Sequence, residues 1–460
     1  MAAAVFRSQR RHLSVRAPAR TIPPVPDLAV PPRFLEDVYQ AASECNKCSL
    51  CQAVCPTYVT NPVEWETARG RVSLIRDAIE GRLELHEIED GPLSTCLTCD
   101  NCVAACAPRV PTGLIVSRAR QELHDQEGHS WGQRFALHSV LPRPGMLSLL
   151  HRLSRAIQVT GLHWLARTSG FTSLLGTAGA HMAHDGPLPA RTAYDRVAAL
   201  PPAQTPVRGR VGFLVCCYAN LATPAATEAT MRVLLGNGFE LDVPRLACGG
   251  LPAKSLGDRD AMLDMGVRNL ERMRGMEIDA LVGDVASCVR HYQDYASLLG
   301  DDRAVGTEAR QVSSLTRTAS QFLAEAGVTA PLGPLRWRVA FDEPCSYPHD
   351  PAVRAAPHTL LEQIPALTVV PLHEAAMCCG GAGSYFHRQP ERSQAILRRK
   401  FDNVVASGAE VLVTENVSCL TQLRAGAREH APGLRVLHLF EVLEASMESA
   451  RRRSALRSEG

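Results

Sequence analysis

The sequence of 460 residues lacks a long hydrophobic run, a strong net charge and a secretory signal. No stretch reaches the roughly eighteen strongly apolar residues that a membrane-spanning helix needs. The nearest candidate, residues 168–184, is rich in Gly, Ala, Ser, Thr and His and is too weakly apolar. A net charge of +2 gives no electrostatic reason to expect nucleic acid as a partner. These absences favour a cytoplasmic protein without transmembrane segments.

Acidic residues are missing from the first 26 positions, which contain five arginines. This composition resembles a transit peptide, but a disordered basic leader would have the same composition. We therefore assign residues 1–30 as a basic leader that precedes the folded part of the chain. Apolar residues make up 45% and charged residues 21% of the sequence, so that the remainder is expected to be globular.

Cysteine is abundant, and eight of the sixteen cysteines form two copies of one motif. The spacing Cys-x2-Cys-x2-Cys-x3-Cys is typical of ferredoxins that bind two 4Fe-4S clusters. In such modules the fourth cysteine of each motif ligates the other cluster. We predict one cluster on Cys45, Cys48, Cys51 and Cys106, and a second cluster on Cys96, Cys99, Cys102 and Cys55.

Two other uses of cysteine fit this motif less well. Structural zinc sites use pairs of Cys-x-x-Cys rather than three cysteines at the same short spacing. Disulfide frameworks are typical of short secreted proteins, whereas this chain is long and has no secretory signal. The motif therefore indicates iron–sulfur chemistry in a reducing compartment.

Helical patterns surround both cysteine motifs. Val72, Ile75 and Ile79 recur with helical spacing between the motifs, and a further helix is predicted near residues 114–126. Residues 31–126 are therefore predicted to form a mostly helical domain with two 4Fe-4S clusters. Residues 127–205 are predicted to be a helical linker, packed on the domains or in contact with a membrane or partner subunit.

The C-terminal half contains an internal repeat, with one unit over residues 206–330, a second over 331–445 and a tail at 446–460. Each unit has an apolar strand near cysteine, a helix, a Cys-Gly-Gly turn, a long helix and another apolar strand before Ser-Cys. Forty positions separate Cys248 from Cys288, and forty separate Cys379 from Cys419. Alternating strands and helices predict parallel sheets covered by helices.

The cysteines of the repeat fall at strand ends and in turns, where α/β folds place their sites. Four thiols of the second unit are predicted to converge: Cys345, Cys378, Cys379 and Cys419. They would hold a third cluster, form a redox-active pair, or remain inert in the core. The first unit is degenerate, because Ala247 stands where the paired cysteine would be, and Cys216 and Cys217 are candidates to compensate.

Together these features resemble a known family. A helical two-cluster ferredoxin domain followed by two cysteine-rich "CCG" domains is the layout of the iron–sulfur subunit of glycolate oxidase. The iron–sulfur proteins of anaerobic glycerol-3-phosphate dehydrogenase, lactate utilisation and heterodisulfide reductase share it. The resemblance covers residues 34–440 and includes the sequences Ala68-Arg69-Gly70-Arg71, Pro111-Thr112-Gly113, Cys378-Cys379-Gly380-Gly381 and Asn416-Val417-Ser418-Cys419. The expected fold is α+β and multidomain, with an N-terminal helical two-cluster ferredoxin domain before two repeated α/β CCG domains.

The resemblance implies an electron-transfer role. A partner FAD-containing 2-hydroxy-acid dehydrogenase subunit would oxidise glycolate or lactate, and electrons would pass through two 4Fe-4S clusters to a quinone-type acceptor. No flavin is expected in this chain, which has no G-x-G-x-x-G motif after a strand, and no catalytic residue is assigned. Peripheral contact with the inner face of the cell membrane is compatible with this role.

Two alternative functions remain open. The first is a thiol–disulfide or heterodisulfide reductase that uses the second CCG domain, although Ala247 departs from the pattern that such chemistry needs. The second is a scaffold or redox sensor in which the clusters serve only structure. The second ferredoxin motif also departs slightly, since Pro108 follows Cys106 one position late.

Overall fold

The structure, a computed structural model of the chain, describes residues 33–160, 188–347, 350–383 and 385–458. The predicted leader and the weakly apolar segment 168–184 lie outside the described residues. Among the helices of the described ranges, none combines the length and the apolar character needed to cross a membrane.

The N-terminal module is helical, as the sequence predicts. Its helices are α1 (Arg33–Ser43), α2 (Pro56–Thr60), α3 (Ala68–Ile79), α4 (Asn101–Ala105) and α5 (Thr112–Glu127), with short helical turns at Leu50–Gln52, Glu64–Glu66, Leu85–Ile88 and Glu89–Leu93. Helix α3 follows Thr67, whose hydroxyl accepts a hydrogen bond from Gly70 N and so caps the helix. Val72 and Ile75 of α3 pack against Ile115 of α5 in one apolar core.

Gly70 lets α3 approach the preceding turn closely. A Cβ atom at Gly70 would lie 2.2 Å from the carbonyl oxygen of Glu64, so no larger residue fits without backbone movement. The neighbouring Arg69 donates a hydrogen bond of 3.2 Å to the carbonyl oxygen of Lys47, which lies inside the first cysteine motif. This tight start of α3 therefore also holds the first cysteine loop in place.

The described part of the linker is helical. It comprises α6 (Trp131–Phe135), a helical turn at Ala136–Val140, α7 (Pro144–Val159) and α8 (Ala193–Val197). Leu149, Leu153 and Ile157 follow one another at four-residue intervals on α7 and are about half exposed.

The first cysteine-rich unit is a parallel sheet with helices on its faces. Its strands β1 (Gly209–Leu214), β2 (Phe239–Asp242), β3 (Ala280–Gly283) and β4 (Thr316–Thr318) are ordered β2-β1-β3-β4. Its helices are α9 (Cys217–Ala222), α10 (Pro224–Gly236), α11 (Leu251–Leu256), α12 (Arg259–Met273), α13 (Ala286–Gln293), α14 (Tyr295–Leu299), α15 (Gly306–Leu315) and α16 (Ala319–Ala326). Val211 pairs with Leu241 on one side and with Ala280 on the other.

The second unit repeats this topology. Its strands β5 (Arg338–Asp342), β6 (Thr368–Val369), β7 (Val411–Thr414) and β8 (Arg435–His438) are parallel and ordered β6-β5-β7-β8. Its helices are α17 (Pro351–Glu362), α18 (Tyr385–Arg388), α19 (Pro390–Ala406), α20 (Val417–His430) and α21 (Leu439–Ser458). Val339 pairs with Val369 and Val411, as Val211 pairs with its two neighbours. The predicted repeat and the parallel sheets are therefore confirmed.

One apolar core joins the two units. Phe213 and Val282 of the first sheet and Phe341 and Val413 of the second belong to the same buried cluster. Strands that are apolar along their whole length are typical of parallel sheets buried on both faces. The two repeats therefore fold around a common interior.

The C-terminus differs from the sequence-based prediction of a tail at 446–460. Helix α21 continues to Ser458 and packs against α10 of the first unit. Ser446 is buried and donates a hydrogen bond of 2.7 Å to the carbonyl oxygen of Gly333, and Met447 is buried in the common core. Only the last turns of α21 are exposed, and their arginines gave this stretch the composition of a solvated tail.

Candidate cysteine-ligated metal centres

The structure brings the four predicted ligands of the second ferredoxin cluster together. One cavity is lined by Cys55, Cys96, Cys99 and Cys102. Burial raises the pKa of Cys102 strongly, and the neighbouring thiols of Cys96 and Cys55 raise it further. A neutral thiol is therefore favoured in this cavity unless a positive group binds, and a cationic iron–sulfur core would supply that group.

Both cysteine loops turn through left-handed backbone. Thr98 and Asp100 have φ of 50° and 57° between the cysteines of the second motif, and Lys47 and Ser49 have φ of 53° and 71° at the matching places of the first. Each loop thereby curls around its thiols, and Thr98 N lies 3.4 Å from Cys96 Sγ. Backbone amides directed at sulfur are one of the features that tune iron–sulfur clusters.

The first ferredoxin set is more open. Burial raises the pKa of Cys51, and the thiols of Cys55 and Cys45 raise it further. Because this interaction requires proximity, Cys45 and Cys51 are neighbours. Cys106 follows α4, which packs against the Leu50–Gln52 turn, and it contacts the same apolar core as Cys45. Cys48 is exposed, whereas the other fifteen cysteines are buried or half-buried.

Buried arginines lie beside the second ferredoxin set. Arg71 is 2% exposed, and its guanidinium donates to Thr95 Oγ1 at 2.9 Å and to Cys55 Sγ at 3.8 Å. Arg120 donates to the carbonyl oxygen of Cys96 at 2.6 Å, and burial lowers its pKa to about 10. Cations that are buried beside thiols favour an anionic group there, as a cluster with four thiolates would be.

The four thiols predicted to converge in the second unit do so. Cys378 interacts with Cys345 on one side and Cys379 on the other, and Cys379 interacts in turn with Cys419. Hydrogen bonds from Cys378 and Cys419 lower the pKa of Cys379 well below its ordinary value, whereas the pKa of Cys378 is raised. The result is a chain of four buried or half-buried sulfurs around one favoured thiolate.

A buried ion pair supports this second site. Lys400 is fully buried and its Nζ lies 2.9 Å from Asp342 Oδ1. Burial acts to lower the pKa of Lys400, but Asp342 and the thiols of Cys379 and Cys419 raise it overall. This lysine was not predicted from the sequence, although its position between Leu397 and Phe401 on the apolar face of α19 was a signal.

The first unit also assembles four thiols. Cys216 Sγ lies 3.2 Å from Cys288 Sγ, and Cys217 interacts with both Cys216 and Cys248. Hydrogen bonds from Cys217 and Cys288 lower the pKa of Cys216 well below its ordinary value. The Gly-Gly turn has lost a cysteine at Ala247, as the sequence shows, but the pair after β1 brings the number of thiols to that of the second unit.

The thiol sites are neighbours. Cys99 of the ferredoxin module and Cys345 of the second unit pack on one apolar cluster, and the interaction between their sulfurs raises the pKa of Cys99 after the effect of burial. Asn101 Nδ2 fixes this contact by donating to the carbonyl oxygen of Ala376 at 2.8 Å. The module and the second unit are also joined by an ion pair between Glu66 and Arg392.

One asparagine joins the two cysteine-rich sites. Asn416 Nδ2 lies 3.5 Å from Cys419 Sγ in the second unit, while its Oδ1 accepts from Ser287 N at 3.3 Å in the first. Ser287 directly precedes Cys288. A cavity of about 630 Å³ opens beside Cys217 and Cys248 of the first unit.

Comparison with known proteins agrees with this arrangement. Family models match residues 37–107 as a 4Fe-4S dicluster domain, residues 128–184 as the linker region of the glycolate oxidase iron–sulfur subunit, and residues 211–292 and 339–424 as cysteine-rich domains.

Full-length relatives carry related names. The probable glycolate oxidase iron–sulfur subunit of Bacillus subtilis (strain 168) is 27% identical over 411 residues, which are 87% of this chain and 92% of the relative. The glycolate oxidase iron–sulfur subunit of Escherichia coli (strain K12) is 25% identical over 424 residues, or 88% of this chain and 94% of the relative. Lactate utilization protein A of Exiguobacterium sp. is 28% identical over 244 residues, or 52% of this chain and 99% of the relative.

A solved structure shares the fold. The crystal structure of a hypothetical protein from Helicobacter pylori superposes with a TM-score of 0.50 at 9% identity, over 90% of this chain and 75% of that one. The domain order, the two cysteine-rich repeats and the relatives lead to one conclusion. The chain combines a 4Fe-4S dicluster domain with two cysteine-rich domains and is similar to glycolate oxidase iron–sulfur subunits over nearly its whole length.

Proposed function

We propose that this chain is the electron-transfer subunit of a 2-hydroxy-acid oxidase or dehydrogenase complex of the glycolate or lactate type. A partner subunit with FAD oxidises the substrate, and this chain carries the electrons one at a time to a quinone-type acceptor. The names of the relatives that match nearly the whole chain support this role. The structural observation that carries it is the arrangement of neighbouring thiol sites in series.

The series has four members. Cys45, Cys48, Cys51 and Cys106 hold the first 4Fe-4S cluster, and Cys96, Cys99, Cys102 and Cys55 hold the second. The contact of Cys99 with Cys345 leads to a third iron–sulfur cofactor on Cys345, Cys378, Cys379 and Cys419. Asn416 then connects Cys419 of this site with Ser287, which precedes Cys288 of the first unit. Short steps suit electron transfer, because tunnelling rates fall steeply with distance.

Electrons enter at the exposed end of the series. Cys48 is exposed, and Leu50 and Trp65 beside this loop are 55% and 56% exposed. We name Cys48, Leu50 and Trp65 the entry surface and assign it to the flavoprotein partner, since exposed large apolar side chains suit a protein interface. The acceptor lies at the other end, in the cavity beside Cys217 and Cys248, where Arg152, Arg245 and Arg272 supply positive charge.

The first experiment measures iron and acid-labile sulfide in protein purified without oxygen. Two clusters give about eight irons per chain, and a further cofactor in the second unit raises this to about twelve. Zinc in place of iron at the ferredoxin cysteines would contradict the proposal. In Cys99→Ser the iron content falls by one cluster, whereas Ser43→Ala, a change near the motif on α1, leaves it unchanged.

The second experiment tests the electron donor. The chain is mixed anaerobically with its co-purified flavoprotein and with glycolate or lactate, and bleaching of the visible cluster absorbance is followed. We expect bleaching that Leu50→Asp slows, because a charge on the entry surface weakens docking. Leu456→Asp is the matched control, since Leu456 is 71% exposed on the last turns of α21. Clusters that stay oxidised with every 2-hydroxy acid would refute the role.

A specific observation favours a second candidate, reduction of a disulfide substrate in the first unit. The objection from Ala247 weakens, because Cys216, Cys217, Cys248 and Cys288 still converge beside a large cavity. Two electrons from the clusters and two protons would convert a bound disulfide to two thiols. Cys216→Ser would abolish this activity and leave bleaching of the ferredoxin clusters intact. Unchanged disulfide reduction in Cys216→Ser would exclude it.

A further inference from the structure

A second kind of metal-ligand cluster lies apart from all sixteen cysteines. It forms where the ferredoxin module, the linker and the first cysteine-rich unit meet. His124 lies near the end of α5, His129 in the loop that follows, and Asp258 at the cap of α12. His138, in the helical turn after α6, reaches the same carboxylate. The three histidines lie close together in sequence, whereas Asp258 lies 120 positions after His138.

Their ligand atoms converge. One atom each from His124, His129 and Asp258 lies within 4.8 Å of the other two. His129 Nε2 is 3.5 Å from Asp258 Oδ2, and His138 Nε2 is 2.8 Å from the same oxygen. The rings of His124 and His129 stack with their centroids 3.6 Å apart. Binding of one ion by both histidines requires the stacked rings to turn, because each nitrogen lone pair lies in the plane of its own ring.

Two of the imidazole nitrogens are buried without a partner. His124 Nδ1 and His129 Nε2 make no hydrogen bond to any residue that the structure describes. The side chain of His129 is 7% exposed and that of Asp258 is 2% exposed. A buried polar atom without a partner is destabilising, so two such atoms on stacked rings require an explanation. A metal ion that accepts both lone pairs supplies one.

The carboxylate is oriented for this purpose. Asp258 Oδ1 accepts a hydrogen bond of 2.9 Å from Ala261 N at the start of α12. The other oxygen, Oδ2, is left to face the histidines. Ligands of metal sites are typically held by such outer hydrogen bonds, which fix their orientation.

We propose that His124, His129 and Asp258 bind a divalent transition metal of the zinc type, with His138 completing a four-coordinate site. Imidazole and carboxylate ligands suit zinc, and four protein ligands without an open position are typical of structural sites. This site is independent of the iron–sulfur clusters and of the electron-transfer role. Its ligands contain no sulfur, which separates it from every cysteine site of the chain.

The ion would fix the ferredoxin module to the first unit. Beside it, a Cβ atom on Gly257 would lie 2.4 Å from the carbonyl oxygen of Arg120, so the two parts already touch through backbone. Ala261, at the start of α12, shares an apolar cluster with Cys248. A metal here therefore also orders the neighbourhood of the first unit's thiols.

The direct test is X-ray absorption at the zinc edge on the full-length, anaerobically purified protein. We expect about one zinc per chain with nitrogen and oxygen ligands at about 2.0–2.1 Å. A zinc shell made only of sulfur at about 2.3 Å would place the metal on cysteines and overturn the proposal. So would the absence of zinc, or of another non-cluster divalent metal, from protein expressed with zinc supplied.

Variants identify the ligands. His124→Gln and His129→Gln should each lower the zinc content at least tenfold, while iron and labile sulfide stay constant. Asp258→Asn should weaken zinc binding but keep the helix cap, since an amide oxygen still accepts from Ala261 N. His86→Gln is the matched control at an exposed histidine of the same module. Full zinc content in both histidine variants, or an equal loss in the control, would refute the assignment.

Discussion

The two cysteine-rich units have the same sheet and the same number of site thiols, but they differ in where the adjacent pair lies. In the second unit the pair is Cys378-Cys379, in the Gly-Gly turn. In the first unit it is Cys216-Cys217, directly after β1, and the turn keeps only Cys248. In both units one member of the pair carries the lowered pKa. The set of converging sulfurs is therefore the same size in both units, while its positions in the chain differ.

The surroundings of the two sites differ more than their thiols. In the second unit Asp342 and Lys400 form a buried ion pair. The strand register places Leu214 of the first unit at the position of Asp342. The forty-position repeat places Asn269 at the position of Lys400. Asn269 is neutral and uses its side chain to hold the backbone of Ala247 and Cys248. Beyond the hydrogen bonds among the thiols, Lys400 lowers the pKa of Cys379, whereas Asp342 raises the pKa of Cys419. The ion pair therefore makes the thiols of the second site unequal without adding net charge to it.

Removing one cysteine from each unit should produce the largest difference between the two units. Cys379→Ser should remove the cofactor of the second unit and slow electron delivery to the first by orders of magnitude, because a step of the series is lost. Cys248→Ser should leave reduction of the second unit unchanged. Stopped-flow reduction, with electrons supplied at the ferredoxin module, measures both. Equal rates in the two variants would show that the units are not in series.

The ion pair gives the next largest effect. Lys400→Met should destabilise the protein by about 3–5 kcal/mol, because it leaves the carboxylate of Asp342 buried without its counter-charge. The double variant Asp342→Leu with Lys400→Asn, which copies the residues of the first unit, should cost much less. Anaerobic urea unfolding measures the free energies. A double variant as unstable as the single one would mean that the surroundings of the two sites are not interchangeable.

Two buried acids between the units make a smaller contribution to the free energy of unfolding. Burial raises the pKa of Glu415 from 4.5 to about 7 and that of Asp284 from 3.8 to about 6. At each acid the folded state therefore keeps a proton that the unfolded chain releases. This contribution to the free energy of unfolding is present below about pH 4–5 and is lost as the pH rises through the folded-state pKa values. For Glu415 the gap corresponds to about 3 kcal/mol.

The two acids can be separated by substitution. Glu415 accepts hydrogen bonds from Ser320 N and Tyr347, whereas neither carboxylate oxygen of Asp284 has a hydrogen-bond partner within the described residues. Glu415→Gln and Asp284→Asn should each flatten part of the fall in unfolding free energy between pH 5 and 8. Asp301→Asn, at an exposed acid, should leave the slope unchanged. A wild-type protein whose stability rises over this interval would contradict the assignment.

The smallest expected change tests whether a cysteine at position 247 can replace Cys216. Ala247→Cys alone should alter stability by about 1 kcal/mol, since it adds one atom at a packed site. Combined with Cys216→Ser, however, it should restore the disulfide reduction that Cys216→Ser alone abolishes. An assay of disulfide reduction on the single and double variants measures this. If the double variant stays as inactive as Cys216→Ser, position 247 does not replace position 216.

Much of this arrangement could be read from the sequence, because spacing along the chain predicts local geometry. The short intervals between Cys96, Cys99 and Cys102 predict one loop, and that loop meets Cys55 in the structure. The forty-position repeat predicts two equivalent sheets. The sequence made Cys216 and Cys217 candidates to compensate for Ala247, but their convergence with Cys248 depends on how the end of β1 faces a distant turn, which no local pattern encodes. The contact of Cys99 with Cys345 likewise depends on how two domains dock.

Helix α21 has a consequence for how the protein is made. It is translated after all sixteen cysteines, yet Leu443 and Met447 complete the core that also contains Phe213 of the first unit. The interior therefore cannot close before every cysteine has been translated. The thiols stay accessible to iron delivery during this interval. A chain that stops short of α21 exposes its apolar interior and becomes a substrate for proteolysis.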